Sequence, residues 1–355
     1  MTDSYRPLLA ITLGDPAGIG PEVILKALRH DDLYQRCRPL VIGDRQTLER
    51  AAAWVDATNL TYDVVSDPAT GRYEPGVVTL IDLATAPSDG FPVGQETAAA
   101  GDTAVQCVFT ACDLATARQV DAVVTAPLNK ASMHLAGHKY PGHTELLAIR
   151  TGADKVSMLL VGPNLRVLHV STHVALEEAI RRVTRERVEQ VIDIAQQSCL
   201  AFGIERPRIA VAGLNPHASE GGLFGDQEAR EITPAIEAAR ARGLDVSDPQ
   251  PPDTVFLKAS RGGYDIVVAM YHDQGHIPMK LLAFDTGVNV SVGLPIIRTS
   301  VDHGTAFDIA GTGVAHESSM LAAIDVAIQL AQALPTDQRA TQDASAPSSA
   351  GNTSS

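Results

Sequence analysis

A series of short apolar runs punctuates the chain, and it constrains the fold more than any other feature. The runs cover residues 8–13, 39–42, 77–83, 122–125, 157–161, 166–170, 208–212, 265–270 and 289–292. Several lack the polar–apolar alternation of a half-exposed strand, so they read as strands buried on both faces, the signature of a parallel sheet. Helical patterns lie between several of them, over residues 21–29, 96–117, 175–200, 227–242 and 318–334. Strands alternating with helices predict an α/β fold with a mostly parallel sheet. With 355 residues the chain is long enough for two α/β subdomains. Joints near 115–125 and 290–300 are the candidate boundaries. Residues 335–355 are rich in Ser, Ala, Thr, Gln and Asp, and such a segment buries too little to offset its ordering entropy. It is expected to be disordered, leaving 1–334 as the folded catalytic unit.

The formal net charge is −14, which argues against nucleic acid and anionic membrane surfaces as partners. A local positive site for an anionic substrate remains compatible with it. Cys37, Cys107, Cys112 and Cys199 form neither a Cys-x-x-Cys pair nor a dense framework, so reduced thiols and a cytoplasmic location are expected. The first residues lack a signal-peptide core. No apolar run approaches the roughly twenty residues of a membrane span.

Three histidines fall just after apolar runs: His173, His217 and His272, the last opening His272-Asp273-Gln274-Gly275-His276. In open α/β sheets ligands bind beyond the carboxyl ends of strands. Three imidazoles delivered there, with Asp273 beside one of them, make a divalent metal site. A lone histidine after a strand is usually an ordinary loop residue, and His30, His134, His138, His169 and His316 are read that way. His276 either joins the cluster or packs as a neutral loop residue.

Other motifs carry bland and functional readings side by side. Gly14-Asp-Pro-Ala-Gly-Ile-Gly-Pro-Glu22 joins the first strand to a helix with Pro21 in its first turn. It lacks the spacing of a dinucleotide fingerprint and a Walker lysine, so a tight turn and a ligand-contacting loop stand level. Lys130, at the end of a polar loop, suits a carboxylate but could equally be solvated. Thr144, after Tyr140-Pro-Gly-His143, suits a helix cap, and the same helix end suits an anion. Lys280, Asn289 and Arg298 follow His272 across a loop–strand–loop stretch. As a set they favour an anionic substrate, with arginine able to grip it bidentately. The stretch from Val301 to Gly311 reads as a glycine-containing loop before a helix.

Taken together, these strings resemble the 4-hydroxythreonine-4-phosphate dehydrogenase family over nearly all of residues 8–334. The matching stretches are Gly14 to Glu22, Gly142-His-Thr-Glu145, Thr172-His173, Leu214-Asn-Pro-His217, Asp253-Thr-Val-Phe256, Tyr271-His-Asp-Gln-Gly275 and Gly293-Leu-Pro-Ile-Ile-Arg-Thr-Ser-Val-Asp-His-Gly-Thr-Ala306. The His303 to Gly311 segment is also similar to the adenosine-binding loop of isopropylmalate and isocitrate dehydrogenases. The resemblance implies an isocitrate/isopropylmalate dehydrogenase-like fold, two α/β subdomains with a cleft between them. It implies a homodimer with a divalent metal (Zn, Mg, Co or Mn) on His173, His217 and His272, one of the three coming from the partner subunit. His143, Thr144, Lys280, Asn289 and Arg298 would contact a phosphorylated substrate. Lys280, Asp273 and Asp253 would stand at the reaction centre, and His303, Gly304, Thr305 and Asp308 would hold NAD. Asp308 and its acidic surroundings disfavour NADP.

One departure directs the choice of branch. The string His276-Ile277-Pro278-Met279-Lys280 replaces the Leu-Pro of the vitamin B6 branch and is similar to the branch acting on D-threonate or D-erythronate 4-phosphate. The expected activity is therefore metal-dependent, NAD-linked oxidative decarboxylation of such an acid to dihydroxyacetone phosphate and CO2. The alternative is 4-hydroxy-L-threonine 4-phosphate dehydrogenation in pyridoxal phosphate synthesis. A third branch, acting on aromatic cis-dihydrodiol dicarboxylates, carries a similar string. Outside the dehydrogenases, a metal-dependent hydrolase or a metal-stabilised binding protein would use the same three histidines.

Overall fold

A computed structural model describes residues 5–154 and 156–340. Its strands are β1 (Leu8–Thr12), β2 (Arg38–Gly43), β3 (Thr61–Val64), β4 (Val77–Asp82), β5 (Ala122–Thr125), β6 (Ser157–Gly162), β7 (Leu165–His169), β8 (Arg208–Ala212), β9 (Asp245–Gln250), β10 (Ile266–Ala269), β11 (Val288–Val292) and β12 (Ile297–Val301). They form one sheet in the order β3-β4-β2-β1-β5-β12-β11-β6-β7-β10-β8-β9. The first six in that order are mutually parallel, as are the last four. Antiparallel pairings of β12 with β11, β11 with β6 and β6 with β7 join the two blocks. The chain leaves the first block after β5 and re-enters it at β12.

The apolar runs became strands for the reason the sequence suggests. Every residue of β1, β5 and β10 is buried, because helices cover both faces. The helix Ala98–Thr116 packs on β1, β2 and β5, Ser318–Ala333 on β12 and β5, and Arg185–Ala201 on β10. Three strands were not foreseen. β3 and β9 are the sheet's two edges, where sequences such as Asp-Val-Ser-Asp-Pro-Gln suit one-sided exposure. β12 is central but carries polar residues.

Several expectations need correcting. The helix expected over 175–200 is two, Leu176–Arg181 and Arg185–Ala201, because Thr184 caps the second by accepting from Arg187 N. The segment expected over 227–242 begins with a π turn, Glu228–Ile232, before Thr233–Ala241. His272 does not open a loop; it is the first residue of the helix His272–Ala283, which tolerates Pro278 inside it. The expected tail starts too early, since Thr336–Gln338 makes a 3-10 turn and Ala340 N donates to Asp121 Oδ1 at 2.7 Å. Residues 341–355 of that expected tail lie outside the described residues. All four cysteines are buried and free. Among the described residues no helix is long and apolar enough to cross a membrane.

Candidate active site

The hairpin joining the two blocks organises the site through strand alternation. Residues of one parity, Val288 and Val290 on β11 and Thr299 and Val301 on β12, are buried, and Thr299 donates to Ala323 O on a packed helix. Residues of the other parity are polar: Asn289 faces Ser300 in register, and Arg298 reaches Ser291. This polar stripe walls a cavity of about 700 Å³ together with Lys130, His143, Thr144, His169 and His173. Arg182 and Arg187 also line it, so an acidic chain encloses a basic pocket.

Arg298 is the most informative of these residues. It is 2% exposed. Its Nη1 donates to Ser291 Oγ at 3.0 Å and its Nη2 to Thr125 Oγ1 at 2.6 Å, while Nε is buried and unpaired. Among the described residues no carboxylate pairs with it. Burial pushes its guanidinium down to about 9, so it stays charged at neutral pH. A buried cation held only by hydroxyls favours an anion brought in from outside.

His143 opens the helix His143–Thr151 behind Gly142. Burial, followed by the neighbouring charges of Arg298 and Lys130, holds its imidazole well below the usual histidine range. It is therefore neutral at pH 7. Its Nε2 is buried without a partner, as is Asn289 Oδ1. Thr144 is not the cap; Gly142 holds that position, and Thr144 Oγ1 instead lies 3.4 Å from Ser291 Oγ.

The expected metal ligands are only partly gathered. His173, His217 and His272 do lie beyond the carboxyl ends of β7, β8 and β10, three parallel strands. The rings of His173 and His272 are 5.4 Å apart. His272 Nδ1 meets Asp273 Oδ1 at 2.6 Å, an arrangement that orients an imidazole and leaves its other nitrogen free to ligate. His217 goes elsewhere. Leu214 N and Asn215 N are both drawn to Glu228 Oε1 at 2.8 Å. Residues 217–221 then wind through successive left-handed conformations, and the His217 ring lies 6.1 Å from Phe224. Among the described residues of this single chain, no group of three ligating side chains assembles.

The remaining expected residues divide similarly. Lys280 Nζ is ion-paired with the Asp302 carboxylate and donates to Asp302 O at 3.1 Å, and Asp302 lines the cavity. Asp273 is largely exposed, and Asp253 is exposed in the turn before the helix Val255–Ser260; neither lines the cavity. His303 and Gly304 stand at its wall. Thr305 is buried, and its carbonyl accepts from Ile19 N at 3.1 Å. Asp308 is exposed in the following turn.

Sequence reasoning missed Thr125, Ser291, Ser300, Asp302 and His169. Period-two polarity in Arg298-Thr-Ser300-Val-Asp302 was the available signal for two of them, Ser300 and Asp302. His169, read as ordinary, is the last residue of β7, is 2% exposed and lines the cavity. Among the described residues neither ring nitrogen has a hydrogen-bond partner, and burial holds the imidazole down to about 3. His276 joins the cluster, stacked on His272 at 3.6 Å and 4.8 Å from His169. A Cβ at Gly275 would lie 2.3 Å from His169 Nε2, so the ring dictates glycine there.

Known proteins fit this geometry. Residues 35–327 match the family model described as pyridoxal phosphate biosynthetic protein PdxA. A protein of Cupriavidus necator named D-threonate 4-phosphate dehydrogenase is 52% identical over 92% of this chain and 98% of its own length. A protein of Desulfosudis oleivorans named 4-hydroxythreonine-4-phosphate dehydrogenase is 50% identical over 93% and 97%. A crystal structure of a 4-hydroxythreonine-4-phosphate dehydrogenase from Burkholderia phymatum superposes with a TM-score of 0.83 at 52% identity, covering 92% of this chain and 98% of that one. A terephthalate 1,2-cis-dihydrodiol dehydrogenase from Burkholderia xenovorans gives 0.65 at 34%, covering 92% and 98%. The match spans most of the described chain and includes the strands that wall the basic cavity, and the chain belongs to the PdxA family.

Proposed function

We propose that this protein is an NAD-linked, metal-dependent dehydrogenase that oxidatively decarboxylates D-threonate or D-erythronate 4-phosphate to dihydroxyacetone phosphate and CO2. Arg298 carries the reading: a buried guanidinium with no carboxylate partner among the described residues, opening on a cavity whose wall offers His143, Thr144 and Asn289, suits a phosphorylated acid. The Cupriavidus relative's name and the His276 to Lys280 string favour a tetronate over an amino acid. The name of the Desulfosudis relative keeps 4-hydroxy-L-threonine 4-phosphate as the second reading. The two parallel blocks serve as the two subdomains, and the cavity between them as the cleft.

The residues fit the implied cofactors. His173, with His272 oriented by Asp273, offers two imidazoles for a divalent ion. In a homodimer His217 of a second copy would complete the set, consistent with its departure from its own chain's pair. His303, Gly304, Thr305 and Asp308 would carry NAD. The bound metal supplies Lewis acidity toward the substrate's oxygens, and NAD accepts the hydride.

The chain's own groups do the rest. Arg298, Thr144 and the neutral His143 grip the phosphate, while Asn289 orients the hydroxy acid; this supplies positioning rather than chemistry. Loss of hydride from C3 and of the C3 hydroxyl proton gives a β-keto acid. The C1–C2 bond then breaks, CO2 leaves, and the bonding pair becomes that of a C2–C3 enolate. Lys280 Nζ, held by Asp302, delivers a proton to C2. Asp273 holds His272 in place, and Asp253 would act only from a neighbouring copy.

The test is NADH formation by the purified protein with added divalent metal, offering D-threonate 4-phosphate, D-erythronate 4-phosphate and 4-phosphohydroxy-L-threonine side by side. Dihydroxyacetone phosphate appearing from a tetronate, abolished by a chelator and restored by metal, supports the reading. Preference for the amino acid replaces it with the vitamin B6 reading. Hydrolysis without NADH replaces it with the hydrolase, and metal-dependent stability without turnover with a binding protein.

A further inference from the structure

The glycine-rich turn from Gly14 to Glu22 has no place in the function proposed above. None of its residues lines the cavity. It contacts the segment from His303 to Gly313 instead. A Cβ on Gly18 would sit 2.8 Å from Thr305 O and 2.9 Å from Thr305 Cβ, and Ile19 N donates to Thr305 O. Glu22, fully buried, accepts from Gly311 N at 2.6 Å and from Gly313 N at 2.8 Å. One turn further along the same helix, Lys26 Nζ donates to Gly313 O and Ala315 O, both at 2.6 Å. An acceptor and a donor at i and i+4 share a helix face, so one face of Gly20–Ala27 grips both the amides and the carbonyls of a segment that has no helix or strand of its own. Gly311 and Gly313 are left-handed, at φ +80° and +74°. That conformation aims their N–H groups at one carboxylate, and it is strained for other residues.

We infer that the turn is not a phosphate loop but the bed of the dinucleotide-holding segment: Glu22 is a positioning residue that fixes the segment expected to hold NAD, and so sets dinucleotide affinity without touching substrate. The inference rests on the assignment of His303, Gly304, Thr305 and Asp308 to NAD. A carboxylate suits the task because a single side chain offers two oxygens to two amides, and the helix N-terminus around it favours its charge. A glutamine keeps the shape but has only one acceptor oxygen, and an alanine has none.

The experiment compares full-length wild type with Glu22→Gln, Glu22→Ala and Lys26→Met. It measures NADH affinity by fluorescence titration without substrate, then KM for NAD, KM for the phosphorylated acid and kcat. Glu22→Gln is expected to weaken NADH binding and raise KM for NAD about tenfold, the scale of one hydrogen bond to a charged group, with Glu22→Ala worse. KM for the acid should stay within about twofold, since none of these residues lines its cavity. If the Glu22 variants do not fold, Lys26→Met, which trims the other end of the clamp, must show the same split. Unchanged NADH affinity, or equal loss for both substrates, overturns the inference alone. A wild type that turns over the acid with no affinity for NAD(H) overturns the cofactor assignment and the inference with it.

Discussion

Replacing Arg298 with methionine should make the free protein more stable and the enzyme far worse. The guanidinium is 2% exposed and bonded only to Ser291 and Thr125. Burial pushes it well below the ordinary arginine range, to about 9, and a drop of that size corresponds to a penalty on the order of 4 kcal/mol. The sign follows from proton linkage: the unfolded arginine holds its proton more tightly than the folded one. The penalty is therefore full below about pH 9 and relieved as pH rises above it. Arg298→Met removes it but also loses two hydrogen bonds worth about 1 kcal/mol each. The expected net gain is about 1–3 kcal/mol at pH 7, seen as a higher urea midpoint with an unchanged m-value. The same change removes the charged donors offered to the phosphate, each worth about 1.5–3 kcal/mol. The ratio kcat/KM should then fall at least about a hundredfold. Arg298→Lys, which keeps charge but not the fork, should recover only part of it. A variant that is destabilised yet binds substrate normally would refute the reasoning and make Arg298 a structural strut.

The two-copy metal site predicts complementation: mixing inactive His173→Ala and His217→Ala subunits should restore about a quarter of wild-type activity, because half of randomly formed dimers regain one complete site. No recovery after verified subunit exchange places all three ligands in one chain. The buried, neutral His169, held to about 3, must take up a proton when the protein unfolds in mild acid. Its effect on stability is absent above pH 6.5 and grows as pH falls toward 3. Urea midpoints at about pH 7 and 4.5 should differ less in His169→Phe than in wild type; an equal difference would show that the ring is solvated.

How much was legible in the sequence divides along physical lines. Runs such as Ala122–Thr125 announced themselves because burial on both faces leaves no room for polar residues. β12 did not, because the face of Ile297–Val301 that serves the cavity must carry Arg298 and Ser300. The requirement of the site erased the signal of the strand. The histidines after β7, β8 and β10 were placed correctly along the chain. Where their rings go was not readable, because a chain's loops turn according to contacts such as Glu228 with Leu214 and Asn215. His169 looked ordinary for the converse reason: its environment is made by Gly275, more than a hundred residues away in sequence.

By itself, then, the sequence determined an α/β sheet, a family resemblance and an inventory of cations and imidazoles, since periodicity and local motifs are properties of neighbouring residues. Only the tertiary structure decided that Arg298 is buried against the hydroxyls of Ser291 and Thr125, that Lys280 is held by Asp302, and that Glu22 grips Gly311 and Gly313 nearly three hundred residues away. Charge compensation and hydrogen-bond partnership depend on which distant segments meet, and that is set when the two parallel blocks close around the β11–β12 hairpin.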